Sequence, residues 1–166
     1  MTDGQAPDIF GQVPDNIDGS NLEAAGSWAK KYFLASKAVM DDVLRPFDLG
    51  GTQWYVLHLL ANHGPMRQRD LTRTLEVERA TLSAVITVLL RKELIEQTPD
   101  PQDQRQKVLH LTARGADLFA LVPDPIALIT TLAFQGVDDA DVATTQRVLR
   151  DATHKLINHK KEATTS

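Results

Sequence analysis

The sequence predicts a mainly α-helical fold with one small β-hairpin. Three observations carry this reading. Apolar residues recur at helical spacing over both ends of the chain, from Leu22 to Phe47 and from Leu118 to Leu156. Between them, two short helical patterns, about Arg67 to Leu75 and Glu78 to Lys92, follow one another within a few residues. Two strand-like runs come next, Leu94 to Thr98 and Arg105 to Leu111. The link between them, Pro99-Asp100-Pro101-Gln102-Asp103-Gln104, is polar and proline-rich and reads as a hairpin loop.

Residues 1–20, rich in Gly, Pro, Asp and Asn, read as a flexible arm with Phe10 as its candidate docking residue. The first helix places Leu22, Ala25, Ala29, Tyr32, Phe33, Ser36, Met40, Val43, Leu44 and Phe47 along a stripe, and Pro46 with Asp48-Leu49-Gly50-Gly51 ends it. Thr52 is expected to cap a second helix carrying Trp54, Val56, Leu57, Leu59 and Leu60, which Asn62-His63-Gly64-Pro65 stops. The tight helix pair followed by the hairpin is a winged helix-turn-helix arrangement. Thr112 caps the next helix, and Pro123 and Pro125 bend or break it near Asp124. A last helix after Gly136 carries Val142, Val148, Leu149, Ala152 and Leu156. The expected division is an arm at 1–20, a dimerisation helix at 21–50, a winged helix-turn-helix at 51–112 and C-terminal dimerisation helices at 113–166. The end helices carry apolar stripes broader than a compact core has room for. Either they bury one another across a two-fold axis in a homodimer, or they fold back on their own core; stripe length and breadth favour the homodimer.

Composition narrows the classes. With 166 residues, 42% hydrophobic and 24% charged, the chain fits one globular domain. No run approaches the ~18 apolar residues of a spanning helix, and the acidic, polar first residues lack the pattern of a secretory signal. The expectation is a cytoplasmic protein without a membrane partner. The absence of cysteine removes disulfides, thiolate catalysis, thiol redox sensing and the common zinc clusters. The net charge of −4 hides an asymmetry. The stretch 64–115 holds 9 basic residues against 7 acidic, about +2, while the remainder holds 9 against 15, about −6. A cationic centre between acidic ends suits a protein that presents one face to a polyanion.

An ordered set of short motifs runs from about Asp48 to Leu121. It comprises Gln53-Trp54-Tyr55-Val56-Leu57, Gln68-Arg69-Asp70-Leu71, Arg79-Ala80-Thr81-Leu82-Ser83, Leu94-Ile95-Glu96, Asp100-Pro101-Gln102-Asp103-Gln104-Arg105 and Leu109-His110-Leu111-Thr112-Ala113-Arg114-Gly115. In this set the chain resembles the MarR (multiple antibiotic resistance regulator) family of transcription factors. The resemblance implies a homodimer that binds a pseudo-palindromic double-stranded DNA operator, usually as a repressor released by a small ligand. Two recognition helices one helical turn apart can enter successive major grooves. Thr81 and Ser83, near the start of the recognition helix, have short hydroxyls that can bond base edges or phosphates. Arg79, Gln68 and Arg69 suit phosphate contacts beside helix N-termini. The resemblance makes Arg105 the wing residue that enters the minor groove, with Asp103 orienting its guanidinium and Lys107 adding backbone charge. The chain departs from the family in three places. Ala84 and Val88 stand where relatives carry Arg or polar residues, which shifts reading toward thymine methyls and DNA shape, and Glu93 replaces the Gly usual before the first wing strand.

The family's effector pocket lies between the first two helices, the domain core and the helix after the wing. Trp28, Tyr32, Ser36, Trp54 and His58 are the candidate ligand-binding residues here. Trp54 and His58 share a helix face, as do Trp28 and Tyr32, and such an aromatic cleft with polar tips suits a flat aromatic acid or phenol. The other reading of these residues is ordinary core and interface packing. None of the 5 histidines forms a His-x-x-x-His pair, and no nucleophile elbow or phosphate-binding loop is present. No metal, no cofactor and no catalytic residue is expected. Two functions follow: a ligand-responsive DNA-binding repressor or, alternatively, a winged-helix dimer that acts mainly as a protein-interaction module with weak, non-specific DNA binding.

Overall fold

The computed structural model describes residues 21–103 and 105–165, so the arm expected at 1–20 lies outside the described residues. The chain divides after Pro125 into two units. In the first, α1 (Asn21–Leu44) runs through a single 3-10 turn, Arg45–Phe47, into α2 (Gly51–His63), β1 (Met66–Arg67), α3 (Gln68–Leu75), α4 (Arg79–Arg91), β2 (Ile95–Pro99), β3 (Lys107–Leu111) and α5 (Ala113–Leu121). The second consists of α6 (Pro125–Phe134) and α7 (Asp139–Thr165).

Helix α2 is the hub of the first unit and packs against α1, α4, α5 and β3. Its Trp54, Val56, Leu57 and Leu60 are buried, as are Leu71 of α3, Leu82, Ile86 and Leu89 of α4, and Leu94, Ile95 and Leu109 at the hairpin. Each fully buried leucine contributes about 1.5–3 kcal/mol relative to exposure, so this cluster holds the two short helices that propensity alone would not. The sheet has three antiparallel strands in the order β1-β3-β2, with Met66 opposite Leu109 and Ile95 opposite Leu111. Strand β1 was not expected; its two residues are too few to show a period.

Two helix ends differ in detail from the sequence reading. Thr52 does not cap α2: the cap is Gly50, with no side-chain bond, and Thr52 sits inside the first turn. Thr112 does cap α5, its hydroxyl accepting the Gly115 amide at 3.0 Å. Where glycine was missed before the wing, Glu93 takes the left-handed conformation itself, with φ of 59°. The Leu94 amide then bonds the Leu89 carbonyl at 3.0 Å and the Glu93 amide the Leu90 carbonyl at 2.9 Å, closing the helix as a glycine would.

The stretch Ala113–Phe134 is long and apolar enough by composition to match a membrane span, contrary to expectation. Pro123 and Pro125 interrupt it as anticipated, leaving helices of 9 and 10 residues, each about half the length a span requires. Among the described residues α1 leaves Trp28, Tyr32 and Phe33 exposed, and α7 leaves Val148, Leu149, Leu156 and Ile157 exposed.

Glu93→Gly should raise the melting temperature, because removing a left-handed non-glycine residue relieves about 1–2 kcal/mol, partly offset by the glycine's chain entropy. Gly115→Ala should do the reverse, since a Cβ there would lie 2.0 Å from the Leu94 carbonyl oxygen. Thermal melts of the two variants check both directions.

Candidate nucleic-acid interface

The N-terminal ends of α3 and α4 converge with the start of β3 on one open groove. It has a volume of about 530 Å³ and is lined by Gln68, Arg69, Thr72, Arg79, Arg105, Gln106 and Lys107. Among the described residues no carboxylate lies within ion-pairing distance of Arg79, Arg105 or Lys107, and Arg69 is 3.9 Å from the exposed Asp70. The cations of the groove are therefore close to fully available to an anionic partner, and the two helix N-termini add their amide dipoles. Sequence reasoning anticipated Gln68, Arg69, Arg79, Arg105 and Lys107 but missed Thr72 and Gln106.

The other predicted residues are arranged differently. Ser83 is half-buried and accepts a bond from Gln68 Nε2 at 3.0 Å, so this pair braces α4 against α3. Thr81 is exposed on the outward face of α4 together with Ala80, Ala84 and Thr87, while Leu82, Ile86 and Leu89 face inward. Val88, expected on the reading face, is half-buried, and Thr87 holds the outward position instead. Asp103 does not grip the Arg105 guanidinium. Its carboxylate accepts the Arg105 backbone amide at 3.1 Å and Gln106 Nε2 at 2.8 Å, which shapes the loop that carries Arg105.

Beneath that loop lies a residue the sequence reading treated as plain linker. Asp100 is 1% exposed. It accepts the Gln102 amide at 2.8 Å and pairs with Arg67 Nε, while Arg67 also donates to Gln102 Oε1 at 3.0 Å. The Gln102 amide, and then the Arg67 guanidinium, hold the Asp100 carboxyl below its ordinary value against the opposing effect of burial. An apolar core residue was expected to be buried; a loop aspartate between prolines gave no such signal.

The aromatic candidates separate into two groups. Trp54, only 1% exposed, stacks on His58 with centroids 4.8 Å apart and meets Tyr55 edge-on at 5.3 Å. Phe119 of α5 closes the cluster, 6.1 Å from Trp54 and 6.0 Å from His58. Phe119 was missed because one aromatic in an amphipathic helix looks like ordinary core. Trp54 Nε1 is buried without an acceptor. Burial, and then the charge of Asp124, push the Tyr55 hydroxyl above its ordinary pKa. Trp28 stands apart on α1, 66% exposed, with Lys31 Nζ 4.5 Å above its ring. Tyr32 is 44% exposed and Ser36 half-buried on the same helix. Among the described residues no group of histidines and carboxylates could hold a metal ion.

A helix pair whose second member turns an unpaired face outward, beside a hairpin with exposed cations, defines a winged helix-turn-helix protein. The MarR family profile matches residues 47–106. The chain is 30% identical over 110 residues to the transcriptional repressor NicR of Pseudomonas putida, covering 66% of this chain and 70% of that one. In fold it is similar to a MarR variant of E. coli solved with operator DNA, with a TM-score of 0.71 at 20% identity, covering 79% and 94% of the two chains. It is also similar to Bordetella bronchiseptica BpsR, whose DNA binding is regulated by 6-hydroxynicotinic acid, with a TM-score of 0.68 at 23% identity, covering 78% and 98%. The chain belongs to the MarR family of transcription regulators.

Because folding depresses the Asp100 pKa from its ordinary 3.8, the charged carboxylate stabilises the fold at neutral pH, and that contribution is lost as pH falls below about 4 through the folded value. Asp100→Asn should therefore lower the melting temperature at pH 7, with the gap to wild type narrowing in acid. A gap of constant size from pH 7 to pH 3 would contradict this role.

Proposed function

We propose that this chain is a cytoplasmic homodimeric repressor that binds a pseudo-palindromic operator and leaves it when a small aromatic acid or phenol binds. The groove carries the reading: Arg69, Arg79, Arg105 and Lys107 converge from α3, α4 and the wing with almost no competing carboxylate. On a duplex, Arg69 and Arg79 meet phosphates, Arg105 enters the minor groove and Lys107 adds backbone charge. The exposed apolar residues of α1 and α7 pair with those of a second copy, which sets the two recognition helices one turn of DNA apart. That geometry makes affinity sensitive to small changes in their spacing.

For the effector, support comes from the buried Trp54 Nε1, a donor with no acceptor beside the His58 and Phe119 rings. A ligand carboxylate or phenol oxygen would satisfy it, with Trp28, Tyr32 and Ser36 supplied where the dimer helices meet. With no cysteine in the chain, a reversible release by thiol oxidation is ruled out and a ligand takes that part. The effector has to favour the DNA-incompetent form, since equal affinity for both forms shifts nothing.

The experiment is a gel shift on the promoter beside the chain's own gene, repeated with a panel of aromatic acids. Arg105→Ala should weaken binding by about 1–3 kcal/mol, roughly 5- to 150-fold. Arg114→Ala should bind as wild type, because that side chain faces Glu93 at 3.7 Å on α5. Wild-type affinity in Arg105→Ala would remove the minor-groove assignment.

A further inference from the structure

The recognition helix α4 has an unusual vocabulary. From Ala80 to Leu90 it contains no acidic, basic, amide or imidazole side chain. Its outward face is Ala80, Thr81, Ala84 and Thr87, which fall on one side of the helix at i, i+1, i+4 and i+7. The Thr87 hydroxyl donates back to the Ser83 carbonyl at 2.9 Å, so what Thr87 offers a partner is its methyl group and a lone pair. The nearest amide, on Gln68, is already committed to Ser83. Arg79 and Arg91 stand only at the two ends of the helix.

This vocabulary excludes most direct readout. Guanine is read through O6 and N7 by Arg or Lys, adenine through N6 and N7 by Asn or Gln, and cytosine through N4 by a carboxylate. The body of α4 has none of these. The one apolar group on any major-groove edge is the thymine C5-methyl. We propose that the outward face of α4 is a thymine-methyl reader, with Ala80, Ala84 and the Thr87 methyl packing on a thymine-rich half-site and the Thr81 hydroxyl making its one polar contact. Short side chains let the helix backbone approach the base edges closely, which methyl contact requires. The arginines of the groove then fix position and charge, and thymines under α4 give sequence.

This inference rests on the operator-binding reading and is tested so that the two can fail separately. Operator duplexes are selected from a random pool with the full chain, and the half-site thymines are then replaced by deoxyuridine, which lacks only the C5-methyl. Affinity should fall about fourfold for each contacted methyl, the value expected for burying one such group. Deoxyuridine in the flanking DNA should change nothing. Ala84→Gln, at an exposed position, should keep the fold but lose discrimination between thymine and uracil at the base it faces. Equal affinity for thymine and uracil operators, or selection of G·C pairs under α4, overturns the methyl reader. If Arg105→Ala still weakens binding in that case, operator binding stands. A wild-type chain that selects no sequence at all overturns both.

Discussion

Arg105 and the first turns of α3 and α4 can line one groove only because β1 pairs with β3. The two residues of β1 enter α3 directly, and their pairing, Met66 with Leu109 and Arg67 with Val108, fixes where the hairpin stands relative to the helix pair. The Arg67–Asp100 pair then ties the far end of the same connection to the wing loop, and Asp103 folds that loop through backbone contacts. A protein whose two DNA-facing elements come from separate parts of the sequence needs such a tie. Without it the hairpin would hinge about Pro99 and Lys107, and ordering it on DNA would cost entropy at each binding event.

Charge bookkeeping by composition understates how the groove is built. The cationic stretch is only about +2, but three of its seven acids, with Asp48 from outside it, neutralise cations away from the groove. Arg67 is held by Asp100, Arg73 by Asp70, Lys92 by Asp48 and Arg114 by Glu93. What these pairs leave open is Arg91 at the end of α4 and, gathered around one cavity, Arg69, Arg79, Arg105 and Lys107. A net charge of −4 is therefore compatible with a local positive field, because charges beyond about 10 Å are screened at moderate salt.

Much of this was legible in the residues. Helical spacing, the short helix pair and the polar loop between two apolar runs led to the observed order of α3, α4, β2 and β3, and to the proline break near Asp124. Local chemistry of one residue against distant ones was not legible. The burial of Asp100, the bond between Gln68 and Ser83, and the approach of Phe119 to Trp54 and His58 depend on contacts across the fold. The same holds for helix phase: Val88 and Thr87 differ by one position, and only the placement of Leu82, Ile86 and Leu89 in the core decides which faces out.

The central claim is that the groove cations act as a clamp on a phosphate backbone, and salt dependence tests it most directly. The logarithm of operator affinity should fall linearly with the logarithm of salt concentration. A dimer in which Arg69, Arg79 and Lys107 of each protomer meet phosphates should give a slope of about −5, by the rule of roughly −0.9 per phosphate neutralised. A slope near −1 would mean that these side chains do not meet phosphates, and the account of the groove would be wrong.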